Sequence, residues 1–380
     1  MTQMKKACGA LLLWALCTLP ALLLWALCTL PALAACDWPA WQHFRQHYIS
    51  EEGRVIDPAD GRRITTSEGQ SYGLFFALVN NDRETFARLL DWTERRLARG
   101  DLTGFLPSWL WGQQEDGSWG VLDENSASDS DLWIAYSLLE AGRLWDNHSY
   151  ESIGTLLLRR IAREEVATVP GLGPVLLPGA HGYTGEGRWT LNPSYLPPQL
   201  LARFAALQGP WREMRAQLSR LLQESAPRGF APDWVDWQGE KGWQVTADKG
   251  PQGSYDAIRV YLWLGMLNDE DPAKGPLVAH FAPMLESTAT LGAVPERVDT
   301  QSGQTQGRGP VGFAAALLPL SQGQPMLASL REQVKQHGEQ ADAYYGSVLT
   351  LFGAGWDQGR YRFAADGTLQ PGWSESCQAD

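Results

Sequence analysis

Thr66-Ser67-Glu68-Gly69-Gln70-Ser71-Tyr72-Gly73, followed at once by the apolar run Leu74 to Val79, decides how this chain is read. Ser67 stands where a helix N-cap is expected, and Gln70, three residues on, completes the pattern of a capping box. Glu68 then falls in the first turn, at the mouth of a helix and not along its side. Two more carboxylates have the same setting. Asp129 follows Ser128 ahead of the run Leu132 to Leu144, and Asp256 follows Ser254 ahead of Ile258 to Leu267.

Working outward, helical periodicity recurs over 38–49, 68–80, 82–98, 129–144, 149–163, 196–207, 210–224, 255–267, 272–288, 310–320, 322–336 and 342–353. Short connections (Asn81-Asp82, Gln208-Gly209, Asp269 to Asp271) make helical hairpins. Long ones (100–127, 164–195, 225–254, 289–309) are rich in Gly, Pro and Trp. Strand-like pieces fall in or beside the loops at Val175–Leu177, Trp189–Leu191, Trp243–Thr246 and Tyr361–Phe363. The expected fold is all-α: an (α/α)6 barrel of six helical hairpins, with long loops and a few short strands at the active-site rim. An irregular α-solenoid is the alternative. In a barrel the even-numbered segments are the inner helices and open at one rim, bringing Glu68, Asp129 and Asp256 together beside Ser194-Tyr195 and Asp342-Ala343-Tyr344-Tyr345.

The 380 residues carry a formal charge of −12. An acidic chain without a basic run is a poor partner for nucleic acid. A hydrophobic fraction of 44% with 19% charged residues excludes a disordered chain. Eighteen Trp residues are unusual; indoles fill cores, and they also stack on the flat faces of sugar rings.

Residues 1–35 begin with Lys5 and Lys6 and run apolar to Ala32-Leu33-Ala34-Ala35, the pattern of a secretory signal peptide, with Leu11–Ala21 repeated identically as Leu22–Ala32. The alternative is a retained transmembrane anchor, against which Pro20 and Pro31 argue. Residues 36–380 then form one catalytic domain, periplasmic or secreted, with no membrane span after leader removal. Its two cysteines, Cys36 and Cys377, near opposite ends, read as a disulfide tying the termini in an oxidising compartment. Leu33-Ala34-Ala35-Cys36 also fits a lipoprotein processing site.

Glycoside hydrolysis needs one carboxyl group to protonate the leaving oxygen and another to activate water or attack carbon. A helix N-terminus favours the ionised form of Glu68. Burial or a neighbouring carboxylate would have to hold its proton on. Arg259, one turn after Asp256, either orients that carboxylate or forms a simple i,i+3 ion pair.

At these residues the chain resembles glycoside hydrolase family 8. The run from Ala127 to Trp145 is similar to that family's signature, departing at Ser130, where Ala or Gly is usual. Ser67-Glu68-Gly69-Gln70-Ser71-Tyr72-Gly73 and Ser254-Tyr255-Asp256-Ala257-Ile258-Arg259 also match. So do Ile56-Asp57-Pro58, Asn192 to Pro198 and Gly353-Ala354-Gly355-Trp356-Asp357. The resemblance implies an inverting endo-β-1,4-glucanase of the kind encoded with bacterial cellulose synthase, acting on cellulose or cello-oligosaccharides during synthesis or export, with an export complex as candidate partner. It makes Glu68 the proton donor and Asp256 the base that activates water. Asp129 then holds and distorts the sugar. Tyr195 is a candidate for supporting that water or Asp256, and Trp109, Trp111, Trp133, Trp189, Tyr255 and Tyr344 are candidates for stacking on sugar. No cofactor or metal is implied. The alternatives are a chitosanase or xylanase of the same family, or a non-catalytic glycan-binding component of a polysaccharide-export system.

Overall fold

The computed structural model describes residues 38–337 and 344–373. The leader, Cys36, Cys377 and the Asp342-Ala343 pair lie outside the described residues. Six helices form the inner ring: α2 (Ser67–Val79), α4 (Ser128–Trp145), α6 (Pro198–Phe204), α8 (Ile258–Gly265), α11 (Val311–Leu317) and α13 (Tyr344–Asp357). The outer layer is α1 (Pro39–Tyr48), α3 (Arg83–Leu97), α5 (His148–Glu164), α7 (Trp211–Ser225), the pair α9 (Lys274–His280) and α10 (Ala282–Leu291), and α12 (Leu327–His337). Sequence explains the division. Every residue of α2 but Glu68 is buried, so its composition is apolar nearly all round, whereas α3 buries one face and gives the other to charged side chains.

The structure departs from the expected helices at three places, the first being the segment expected over 322–336, which becomes helical only at Leu327. The single helix expected over 272–288 is broken at Phe281, because Pro283, near the start of α10, has no amide hydrogen to continue the helix. The helix expected from 255 begins only at Ile258, and residues 254–257 form a tight turn before it.

An aromatic cluster fills the ring. Phe75 stacks on Phe352, ring centres 5.4 Å apart, and meets Trp133 edge-on at 4.9 Å. Trp263 reaches Trp133 at 5.4 Å. Phe76 against Phe352, at 4.6 Å, closes the ring between its first and last inner helices. Close approach is set by small residues: a Cβ on Gly353 would lie 1.8 Å from the Ala315 carbonyl oxygen, so only glycine fits between α13 and α11.

The strands lead into the helix openings. In the sheet β1–β2–β3, β1 (Thr65–Thr66) pairs antiparallel with β2 (Leu110–Gln113), which pairs with β3 (Trp119–Asp123). β4 (Val166–Val169) and β5 (Gly173–Leu176) form a hairpin. A four-stranded sheet orders β6 (Thr184–Gly185), β7 (Arg188–Leu191), β8 (Val235–Trp237) and β9 (Trp243–Val245). β10 (Gln252–Gly253), β11 (Arg297–Asp299) and β12 (Thr305–Gln306) form another sheet. β1, β7 and β10 run directly toward α2, α6 and α8. At the other end of the inner ring the hairpin β13 (Tyr361–Phe363) and β14 (Leu369–Pro371) is pinned to α4, where buried Glu140 accepts from the Leu369 amide, Arg143 and Arg203.

Candidate active site

The three acids converge, but not through the caps their serines suggest. The N-cap of α2 is Thr66, whose hydroxyl accepts from the Gly69 amide at 3.0 Å. Ser67 is the first helical residue, and its buried hydroxyl has no partner among the described residues. Gln70 does not reach back to close a capping box. Its Oε1 accepts from the Val55 amide at 2.6 Å, and its Nε2 donates to Gly53 and Thr93. In α4 the cap position belongs to Ala127, which has no side-chain cap, and Asp129 turns its Oδ1 onto the amide of Ser130 at 2.7 Å.

Arg259, on the first turn of α8, gathers the acids. Its Nη1 donates to Glu68 Oε2, to Asp129 Oδ2 at 3.3 Å and to the Tyr72 hydroxyl at 3.2 Å. Its Nη2 donates to Asp256 Oδ1 at 2.8 Å and to the Ser194 hydroxyl at 3.1 Å. The Arg259–Asp256 contact is thus the i,i+3 pair read from the sequence, and the contacts to Glu68 and Asp129 span 191 and 130 residues. Because both nitrogens belong to one planar fork, the nearest oxygens of Glu68 and Asp256 lie no more than about 8 Å apart. Glu68 and Asp256 keep 24% and 30% of their side-chain surface exposed, whereas Asp129 and Arg259 are enclosed. Two carboxyl groups therefore face solvent with a third acid and a cation behind them.

The electrostatics separate Glu68 from an ordinary carboxylate. Burial pushes its carboxyl up to about 7, against the pull of the Arg259 guanidinium; the negative charges of Asp129 and Asp256 add to the rise. Burial also raises Asp129, opposed by Arg259 and the Ser130 amide. Burial outweighs the helix dipole, so the protonated form of Glu68 persists up to about pH 7.

A second acid pair lies behind Asp129 and was not read from the sequence. Asp131 and Glu165 are fully buried, and among the described residues three of their four oxygens meet no N–H or hydroxyl donor. Burial pushes Glu165 up to about 8 and Asp131 well above the carboxylate range. Burial thus favours the protonated form of both acids, and the Ser126 hydroxyl donates to Glu165 at 2.6 Å.

The aromatic candidates divide. Tyr195 lies half-buried under the Arg259 guanidinium, 5.6 Å from its ring centre. Tyr255 is 45% exposed and edges onto Phe313. Trp189 is half-buried on β7, and half-buried Trp109 accepts the Ser67 amide on its carbonyl. Trp133, at 1% exposure, sits in the aromatic core and offers no face to a sugar. Tyr344 is buried with its hydroxyl close against Gly69. Trp111 is buried under Trp119, stacked at 5.4 Å, and Trp119 is the exposed indole of that pair at 46%.

Sequence reasoning missed Tyr72, Trp119 and Trp234, and placed Ser194 at the rim without giving it a role. Half-buried Trp234 stacks on Tyr183 at 6.0 Å and meets Tyr195 edge-on at 6.1 Å. It also chose Tyr344 over its neighbour Tyr345, which stands close enough to Arg259, Glu68 and Asp256 to feel their charges. A signal for Trp119 was present: Asp116-Gly117 between two aromatic-rich runs is a hairpin turn signature.

Known proteins are similar to this chain in sequence and fold. An endoglucanase of Salmonella typhi is 56% identical over 344 residues, covering 90% of this chain and 93% of that protein. An endoglucanase of Escherichia coli strain K12 is 55% identical over 344 residues, covering 90% of this chain and 94% of its own. The crystal structure of endo-1,4-D-glucanase from Vibrio fischeri ES114 superposes with a TM-score of 0.86 at 49% identity, covering 89% of this chain and all of that one. The sequence profile of glycosyl hydrolases family 8 matches residues 15–359. The chain belongs to glycosyl hydrolases family 8.

Proposed function

We propose that this glycoside hydrolase cleaves internal β-1,4 bonds of glucan with inversion, with Glu68 as general acid and Asp256 as general base. The observation that carries the reading is the shared guanidinium. One Arg259 holds Glu68, Asp129 and Asp256 together, and only Glu68 and Asp256 remain partly open to solvent. Glu68, held up to about 7, keeps a proton to give to the leaving glycosidic oxygen. Asp256 takes a proton from the water that attacks the anomeric carbon on the opposite face. The glycosidic bond breaks as the new carbon–oxygen bond forms, leaving Glu68 ionised and Asp256 protonated until solvent restores both. Asp129, its carboxylate occupied by Arg259 and the Ser130 amide, has the role in this reading of holding and distorting the sugar rather than of exchanging protons. Tyr195 lies beneath Arg259, beside both. Half-buried Trp109 and Trp189 and exposed Tyr255 offer ring faces for neighbouring sugars.

The endoglucanases it resembles support β-1,4-glucan as substrate. Release of reducing ends from carboxymethylcellulose, xylan and chitosan tests this reading. Release from carboxymethylcellulose is expected to dominate; faster release from xylan or chitosan would reassign the substrate. Binding without release from any of the three would favour a glycan-binding component.

The positively charged, apolar N-terminus supports a leader of residues 1–35; residues 36–380 then act as a single catalytic domain in the periplasm or outside the cell, on cellulose during its synthesis or export. Among the described residues no helix is long and apolar enough to cross a membrane. The intact mass of the mature protein, with and without reductant, tests leader removal and the Cys36–Cys377 bond together. A mass two hydrogens below the reduced chain is expected. A diacylglycerol-sized increment on Cys36 would contradict it.

A further inference from the structure

The base carboxylate does not sit on a helix. Asp256 occupies the turn 254–257 ahead of α8, where backbone amides have no intrahelical acceptor. Three of these amides point at a single atom. The N–H groups of Ser254, Asp256 and Ala257 donate to Asp233 Oδ1 at 2.8, 3.2 and 2.8 Å. Asp233 thus does from 21 to 24 residues away what a cap residue does locally. Ser254, the residue whose sequence position suggests a cap, sends its hydroxyl elsewhere, to the Glu296 carbonyl at 2.7 Å.

Asp233 is itself held firmly. It is buried, and its own amide donates to the Gln252 carbonyl at 2.8 Å. Beside it the chains approach so closely that a Cβ on Gly253 would lie 2.1 Å from the Ala231 carbonyl oxygen. The next residue, Trp234, reaches Tyr195, and Tyr195 lies under Arg259. One loop therefore fixes both the turn carrying Asp256 and an aromatic surface beside it. The Asp256 carboxylate itself accepts from Arg259 Nη2.

We propose that Asp233 is a positioning residue for Asp256, its single oxygen setting the backbone turn that aims the base at the attacking water. The inference rests on Asp256 being the base. Proton abstraction demands a heavy-atom contact of about 3 Å, and a misplacement of about 1 Å can cost about a hundredfold in rate. Tyr255, in the same turn, keeps holds of its own, the Tyr345 hydroxyl donating to its carbonyl at 2.6 Å and its hydroxyl donating to Glu296 at 3.3 Å, so loss of Asp233 falls on kcat far more than on KM.

The test compares Asp233→Ala, which removes the acceptor, with Asp233→Asn, which keeps a carbonyl oxygen in its place. Both are assayed on a soluble cello-oligosaccharide at 25 °C, with circular dichroism confirming that each is folded. Asp233→Ala is expected to lower kcat about 10- to 100-fold with KM changed less than about threefold, and Asp233→Asn to restore kcat to within about threefold. In an Asp256→Asn background, Asp233→Ala is expected to cost nothing further, because the base it positions is gone. If Asp233→Ala does not fold, Asp233→Glu, which keeps the charge but displaces the acceptor, is expected to show the same loss of kcat alone. Unchanged kcat in the folded variant, an Asn variant as slow as the Ala variant, or an additive loss in the Asp256→Asn background would overturn the inference. Wild-type-like turnover by Asp256→Asn alone would instead remove the base assignment, and this inference with it.

Discussion

Replacing Arg259 with Met withdraws the guanidinium shared by Glu68, Asp129 and Asp256 while leaving a side chain of similar length. Glu68 Oε2 and Asp129 Oδ2 both sit on Nη1, which keeps them within about 6 Å of each other. At an effective dielectric of about 20, two unit charges at that distance repel by about 3 kcal/mol. Removing one partner of a buried ion pair costs about 3–5 kcal/mol, so the two figures agree in size. The site relieves this by taking up protons. Arg259 pulls the Glu68 carboxyl down from where burial would put it, so the variant's Glu68 moves above the wild-type value of about 7. The sign follows. Glu68 is protonated in both folded proteins near pH 5, and its contribution to folded-state stability is lost as pH rises through the folded value. Above pH 7 the variant forgoes a charge that the wild type tolerates. The Tm deficit of Arg259→Met should therefore be larger at pH 8.5 than at pH 5. The alkaline limb of its kcat/KM profile should move upward, and its maximum should fall about 100- to 1000-fold as the three carboxyl groups lose their common anchor. Thermal scans and initial rates on carboxymethylcellulose across pH 4.5–9 measure all three. An unmoved alkaline limb together with a Tm deficit independent of pH would refute the reasoning.

Glu68→Gln should lose about 100- to 10,000-fold in kcat on glucan. It should keep most activity on a glycosyl fluoride, whose leaving group needs no proton, and lose the alkaline limb near pH 7; equal losses on both substrates would count against the acid role. Glu165, protonated in the fold up to about 8 and ionised when unfolded above about 4.5, makes the protein lose stability as pH climbs through that window. Glu165→Gln should flatten the fall of Tm between pH 5 and 8.5, and a parallel curve would show that Glu165 is already ionised in the fold. Tyr255→Ala should raise KM about two- to tenfold by removing an exposed ring, as stacking contacts contribute about 0.5–1.5 kcal/mol. Trp133→Ala, in the core, should instead lower stability by about 3–5 kcal/mol, measured by chemical denaturation.

The helices and their division into two rings were legible because periodicity records which faces are buried, and the inner helices are apolar nearly all round. Two of the three acids stand where that reading puts them, in the first turns of α2 and α4, while Asp256 lies one turn before α8. Two local inferences failed for one reason, that tertiary contacts supplied what the sequence pattern promised. Ser67 and Gln70 look like a capping box, but Thr66 caps α2 and Gln70 stitches the Val55 and Thr93 segments to it. Ser254 looks like a cap, but Asp233 provides it. Nothing within a few residues encodes an acceptor that distant. Arg259 was visible as the partner of Asp256, and its contacts to Glu68 and Asp129 appear only once the barrel closes. Trp133 shows the limit for aromatics, since a Trp on an inner helix and a Trp on a rim loop read alike in composition.

The most direct measurement follows the anomer released first. Proton NMR of cellopentaose hydrolysed by fresh enzyme, recorded before mutarotation, should show the α-anomer of the new reducing end appearing first, as water attacks opposite the leaving group between Glu68 and Asp256. Initial appearance of the β-anomer would mean retention through a covalent intermediate, and would contradict the assignment of Asp256 as a base acting on water.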